Sequence, residues 1–453
     1  MDRRGARVMV ANRNQIELRA VDLEGLLPAE HRARMVWAYV ERLDLSPLYA
    51  QFKAVEGHAG RPGIDPAILL ALWLYATLEG VGSARALARL CAEHDAYRWI
   101  CGGVGVNYHT LADFRVQQVD DLDRLLTESV AALMATGAVT LQRVAQDGVR
   151  VRAAAGAPSF RRRRTLERCL REAREQVTRL RAELDEDPGA TSRRQQAARE
   201  RAARERAERV QSALAELEKI EAVKHQAAKQ AERKAAKQAA KQAAHRDEDR
   251  QEPGAGPGGP DDDKKRAPRA STTDPQARVM KGADGGFRPS YNVQFATEAG
   301  AGIIVGVEVS NQGADQGQLS PMTRQLQRRY GRAPAESVVD GGFVTLAEIE
   351  AGSELGSTVY APVPEPKTPG RDPYLPLRGD TPAVAAWRVR MGTQEAKDLY
   401  RRRAATAEWA NAQARNRGLR QFLVRGLRKV KAVALWYALA HNLLFGARLA
   451  PAA

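Results

Sequence analysis

The stretch Thr140–Ala154, TLQRVAQDGVRVRAA, decides the fold. Before it the chain is helical in texture. From Val139 onward, β-branched and alternating residues take over and read as a strand with Asp147 near its middle or end. Gly148, directly after the acid, allows close approach of backbone or ligand.

Toward the N-terminus, residues 1–135 read as an all-α domain. Pro28–Leu43 is amphipathic. In RPGIDP (Arg61–Pro66), Asp65 is the expected N-cap and Pro66 opens the apolar helix that continues through Ala67–Leu78. Ser83 caps a helix that turns Leu87, Leu90 and Cys91 inward. Thr110, with Asp113 three residues later, is the expected cap of the next. Arg85, Arg89, Arg98 and Arg115 are expected outside. This pattern resembles a helix-turn-helix type of DNA-binding domain, and an ordinary helical bundle with a basic surface fits it equally.

Toward the C-terminus the strand texture is interrupted. Leu166, Leu170, Ala173, Val177, Leu180 and Leu184 step as a heptad seam, DEDPGA (Asp185–Ala190) breaks it, and Ala203, Ala207, Val210, Leu214 and Leu217 resume it. Thr165–Ala244 is therefore expected to be an antiparallel coiled-coil hairpin. Lys234, Lys237 and Lys241 share one side of its far end, either as a solvated stripe or as a track for a phosphate backbone. Arg246–Thr273 has no large aliphatic or aromatic residue and reads as a flexible linker. Strands return at Ser290–Glu298, Ala301–Ser310, Glu336–Phe343 (ending on Asp340) and Thr358–Val363. Helices lie before Gly331 and at Thr345–Ala351, and a Pro-rich loop runs to Arg378. The order gives an α/β fold with a mixed sheet.

Charge narrows the partners. The 453 residues carry a formal net charge of +16, which points to nucleic acid first and an acidic membrane surface second. No lipidation motif supports the membrane. Cys91, Cys101 and Cys169 form no CxxC pair, so neither a zinc site nor a disulfide framework is suggested, and a reducing cytoplasm fits. The first residues, MDRRGARVMVANRNQ, lack the apolar core of a signal peptide, and Ala67–Leu78 is too short to span a bilayer. No GxxxxGK[ST] loop is present, so no nucleotide cofactor is expected.

The tail Tyr400–Arg415, YRRRAATAEWANAQAR, reads as one helix. At the α-helical advance per residue, Tyr400, Arg403, Glu408 and Arg415 share an arc of roughly 140°, with Trp409 opposite as a core anchor. Alone, such a face fits solvated ion pairs as well as it fits a metal carboxylate beside phosphate-holding cations. Asp147 on the first strand, Asp340 before two glycines and Glu408 on this helix can converge to hold two hard divalent cations through oxygen. Asp284, Glu308, Asp315, Glu395 and Asp398 are rival acids that read as structural.

RPGIDPAILLALWLYATLEGVGSARALARL, QDGVRVRAAAG, DPQARVMK, GFRPSYNVQ, NQGADQGQLSPM, VVDGGF, the tail motif and RGLRKVKAVALWYALAHNLL together resemble the DDE transposases of bacterial insertion sequences, the group with an IS-five-like helical N-terminal domain. The resemblance covers nearly the whole chain. It implies an RNase H-like catalytic domain over residues 136–453, interrupted by the helical insertion and linker at 160–273 and preceded by the N-terminal domain. It implies Asp147, Asp340 and Glu408 as the catalytic, metal-binding triad, with Tyr400 and Arg403 in DNA-binding helper positions. Arg415 stands where the family usually has Lys, and Val149 where many relatives have Thr. Asp315 is the strongest rival, because its loop also matches the family. The implied protein is an endonuclease and strand transferase. It uses Mg²⁺, with Mn²⁺ as substitute, on inverted-repeat ends and target DNA. It acts as a homo-oligomer in the DNA complex, in the bacterial cytoplasm, associated with the nucleoid when bound to DNA. The alternatives are a non-catalytic DNA-binding protein derived from a transposase and, from the hairpin alone, a coiled-coil assembly protein.

Overall fold

Alternating apolar residues from Arg143 onward form the strand on which the sheet is built, β1 (Arg143–Arg152). The computed structural model describes residues 14, 22–52, 63–186, 193–243, 267–366 and 370–449. β1 pairs antiparallel along its length with β5 (Phe287–Glu298). The far edge of β5 carries β4 (Arg278–Lys281) and β6 (Ile304–Ser310). On the other side of β1 lie β7 (Glu336–Val338) and β8 (Thr358–Tyr360), both parallel. This is a mixed sheet of the kind that the resemblance to an RNase H-like domain implies. A separate two-stranded pair joins β2 (Phe160–Arg161) to β3 (Ala270–Ser271).

Two long helices run between β2 and β3: Arg163–Glu186 and Arg193–Ala243. Arg163 pairs with Glu221 at 2.6 Å, and Arg181 with Glu200 at 3.1 Å. As one helix ascends the other descends, so they are antiparallel. Leu166, Val210, Ala213 and Leu217 are buried between them, with Ala270 of β3 closing the base. The linker expected to run to Thr273 therefore ends sooner, because Ala270–Ser271 takes the ladder bonds offered by Phe160–Arg161. Residues 246–266, and the side chains of Lys234, Lys237 and Lys241, lie outside the described residues.

The N-terminal helices obey their caps. Asp65 Oδ1 accepts from the Ala67 amide at 2.8 Å, and Ser83 caps Ala84–Glu93. Tyr108–Gln117, however, is capped by Asn107, whose Oδ1 accepts from the Thr110 amide at 2.9 Å, so Thr110 is an interior residue. Asn is as good a cap as Thr and sits where the chain turns extended. Arg115 also departs from expectation. It is buried, donates to the Gly82 carbonyl and lies 4.7 Å from the Trp73 ring centroid. Burial brings its pKa down to about 10.

One core runs from these helices into the sheet. The helix Leu427–Gly446 is buried along most of its length. Trp436 packs on Trp73 and Phe114 at centroid distances of 6.4 and 6.2 Å and donates to the Arg115 carbonyl. On its other side, Asn442 Nδ2 donates to the Ile304 carbonyl at 2.7 Å, and its Oδ1 accepts the Ile304 amide at 2.8 Å. His441 Nε2 meets the Gly302 carbonyl at 2.8 Å, and burial lowers the pKa of its ring to about 4.

Two outcomes follow from this packing. A Cβ on Gly148 would lie 2.2 Å from Asp315 Oδ1 and 2.4 Å from Gln294 Nε2. Gly148→Ala is expected to cost about 3 kcal/mol in urea unfolding, the upper part of the range for overpacking. For His441, the unfolded chain takes up the proton before the folded one. Stability should therefore fall as pH drops from about 6.5 to about 4, by ~3 kcal/mol at most. His441→Gln should remove that part of the slope.

Candidate active site

The parallel register of β1 and β7 brings two acids together. Ala145 pairs with Val338, so two residues further on Asp147 stands beside Asp340, just past the end of β7. Asp340 Oδ1 accepts from the Gly342 amide at 2.8 Å, so the first of the two following glycines leads into a turn around the carboxylate. On this face of the sheet, Ala145 and Val338 bury Ala407, and Tyr400 packs against the same cluster. Glu408 follows Ala407 directly. The three acids line one open cavity of about 700 Å³ with Arg403, Trp409, Asn411 and Arg415.

The tail is not one regular helix. Gln394–Arg401 is α-helical, Ala404–Glu408 forms a π turn, and Trp409–Asn416 returns to α. Such turns bond i to i+5 and hold one more residue than the α-helix would. The angular arithmetic of an uninterrupted helix therefore fails across it. Arg403, Glu408 and Arg415 still share the cavity, while Tyr400 lies outside its lining, packed beneath. Trp409 is also not a deep anchor. It is half-buried, stacks edge-on against Phe445 and His441 at 4.5 and 5.3 Å, and lines the cavity. The helix is seated instead by Ala407, Ala410 and Ala414, whose small side chains let its backbone approach the sheet.

Arg403 bridges the acids. Its Nη1 lies 3.8 Å from Asp147 and its Nη2 3.3 Å from Glu408, and Nη1 is buried without a hydrogen bond. It also sits 6.0 Å from the Tyr400 ring centroid. Burial pushes the Asp147 carboxyl above the usual range, Arg403 and Asn411 pull it back, and the Asp340 charge adds to the rise. The Tyr400 phenol is raised by burial, so it stays protonated at neutral pH. Sequence reading missed Asn411. Its Nδ2 donates to Asp147 Oδ2 at 2.8 Å, and its Oδ1 is buried without a partner. The available cue was its place three residues after Glu408, one turn along the same face.

The rival acids are satisfied elsewhere. Asp315 lies against Gly148, on the face opposite Asp147, where Asn292, Gln294 and Arg150 donate to it at 2.7, 2.7 and 3.0 Å. Glu308 pairs with Lys431, Asp284 with Arg288 and Asp398 with Arg401. Glu395 opens the Gln394–Arg401 helix and is absent from the cavity lining.

Among the described residues, no three of His, Cys, Asp and Glu stand close enough to cage an ion. The chemistry of the donors nonetheless suits a hard divalent cation. They are carboxylate oxygens, two of them side by side on adjacent strands, with the orphaned Asn411 oxygen nearby.

The comparisons with known proteins fit this geometry. The family described as a transposase domain (DUF772) matches residues 21–117. The family described as a transposase DDE domain matches residues 378–444, the segment that carries Glu408. Two separate stretches of the chain thus match transposase families, the second of them of the DDE class, and the likeness to the IS-five-like group rests on these two matches. Neither the curated proteins nor the solved structures contain a match.

The crowding of two carboxylates has a measurable consequence. In EDTA at pH 7, Asp147→Asn should unfold at a higher temperature than the unchanged chain, because it removes a desolvated charge beside Asp340. Asp398→Asn, which leaves that pair alone, should not.

Proposed function

We propose that this chain binds the terminal inverted repeats of its element and performs metal-dependent cleavage and joining of DNA strands. Asp147, Asp340 and Glu408 are the catalytic, metal-binding residues of this reading. The observation that carries it is the β1–β7 register that sets Asp147 beside Asp340, under the turn bearing Glu408. Magnesium, or manganese in its place, would be held by the adjacent Asp147 and Asp340, with Glu408 closing in from the cavity wall as the third carboxylate, and would supply an activated nucleophile and charge stabilisation at the phosphodiester.

The other residues bind and orient. Asn411 fixes the rotamer of Asp147 through its amide. Arg403 offsets part of the charge of Asp147 and Glu408. Its Nη1, which makes no hydrogen bond, is available to a phosphate oxygen once the carboxylates are otherwise compensated. Arg415, exposed on the cavity wall, offers a planar fork to two phosphate oxygens where a lysine would offer a point charge. Tyr400 supports Arg403 from below and keeps a protonated hydroxyl. Trp409 and the alanines of the π turn form the apolar wall.

The proposed division is residues 1–135 for binding of the ends, 136–453 for catalysis and 160–273 as an insertion in the catalytic part. It is supported by strands of one sheet lying on both sides of the helical pair. The +16 charge supports DNA as the partner. Work on two ends supports a homo-oligomer in the complex, in the cytoplasm where the DNA lies. No helix among the described residues is long and apolar enough to cross a membrane.

Glu408→Gln keeps volume and helix propensity and removes one charge. Strand cleavage and joining on DNA with the element's ends should drop together, at least 100-fold, while gel-shift affinity persists. Mn²⁺ should raise the melting temperature of the unchanged protein and do so less for Glu408→Gln. Normal cutting by this variant would remove Glu408 from the triad. A chain that binds the ends but never cuts would be a non-catalytic DNA-binding protein.

A further inference from the structure

A second cavity, of about 340 Å³, opens at the base of the helical pair. Its walls come from four separate segments: Cys169 on the first long helix, Arg206 and Arg209 one turn apart on the second, Thr272 and Thr273 after β3, and Arg425 before the helix Leu427–Gly446. The lining contains no acid. Arg209 has an exposed pair with Glu205 at 3.5 Å, whereas Arg206 and Arg425 have no ion pair among the described residues. Asp274 feels the Arg425 charge but is buried and taken up by the Tyr291 hydroxyl at 2.7 Å and the Gly426 amide at 3.2 Å. Three guanidinium groups from distant parts of the chain thus face one space with one exposed carboxylate beside them.

The fold holds in place the segments that carry these cations. Arg278 of β4 pairs with the buried Glu216 on the second long helix, two to three turns beyond Arg206 and Arg209. The segment before Arg425 is fastened to the end of β1, where Gln421 bridges Arg152 and the Phe422 amide donates to the Arg152 carbonyl at 2.8 Å. Like charges held together in this way raise the energy of the empty cavity and favour an anion with several oxygens, which planar guanidinium forks and hydroxyls match in geometry.

We propose that this cavity is a phosphate-binding site that engages a DNA backbone phosphodiester away from the acidic centre. The proposal rests on the DNA-binding reading above. From Asp147 to Arg152 along β1 is about 17 Å, at 3.3–3.4 Å per residue. That corresponds to roughly five base pairs of duplex at 3.4 Å each. A duplex lying along β1 from the acids toward Arg152 would run toward the segment Gln421–Arg425 that is fastened there, and so toward the base of the helical pair, which becomes a DNA contact.

The test uses the full chain and a duplex carrying the element's ends. Arg206→Gln with Arg425→Gln removes two exposed charges and leaves the helical pair's seam intact. The slope of log K against log salt should become shallower by about 1, as expected for the loss of one phosphate contact. In parallel, alkylation of Cys169 should slow at least fivefold when DNA is bound, and should not slow in the double variant. Inorganic phosphate is the comparison probe. Cys169 labelled at the free rate in the DNA complex, with an unchanged salt slope, would overturn the proposal. So would protection by inorganic phosphate with none by DNA, which would mark an anion site unrelated to the duplex. A chain that binds no DNA would defeat the functional reading itself, whereas binding without protection defeats only this inference.

Discussion

The helix Leu427–Gly446 holds the molecule together. An all-round apolar helix must be covered on every side, and here the N-terminal helices cover one side and the sheet the other. Asn442 adds direction to this burial. Its amide pairs with both backbone groups of Ile304, as a neighbouring strand residue would. Trp436 does the same on the opposite side by reaching the Arg115 carbonyl. The two halves are thus registered against each other by hydrogen bonds as well as by apolar contact, and residues before 135 cannot be removed without exposing this helix to water.

The same helix helps to set the acidic centre. Trp409 rests on Phe445 and His441, so the turn bearing Glu408 is wedged between the sheet and the helix Leu427–Gly446. The alanine face of the tail allows the close approach, and β1 and β7 supply the two aspartates. Glu408 remains largely exposed and tied to Arg403, while Asp147 is mostly enclosed. A guanidinium thus bridges two of the three carboxylates of the centre.

Much of this was legible in the residues. Alternation marked β1 and β5, an apolar run marked β6, the heptad stepping marked the helical pair, and Asp65 and Ser83 marked helix starts, because each depends on spacing within a few residues. The match in position between Asp147 and Asp340 was not legible, since register between distant strands depends on tertiary packing. Arg115 was misread as external because its indole partner, Trp73, lies 42 residues away in sequence. The π turn was invisible for a related reason. Nothing in AATAE opposes an α-helix, and the extra residue is absorbed only because both flanks are seated on the sheet and on Phe445. Asn411 was overlooked as an ordinary helix polar residue.

The π turn makes the centre sensitive to chain length as well as to composition. A regular α-helix over the same residues would turn everything on one side by about 100° relative to the other. With Trp409–Asn416 held by its alanines, Arg403 would swing away from the acids; with Arg403 held, Glu408 would leave the cavity. Because the turn holds one residue more than an α-helix would, a chain one residue shorter between Arg403 and Glu408 would close the turn and keep both flanks in phase, whereas one residue longer would throw them out of phase.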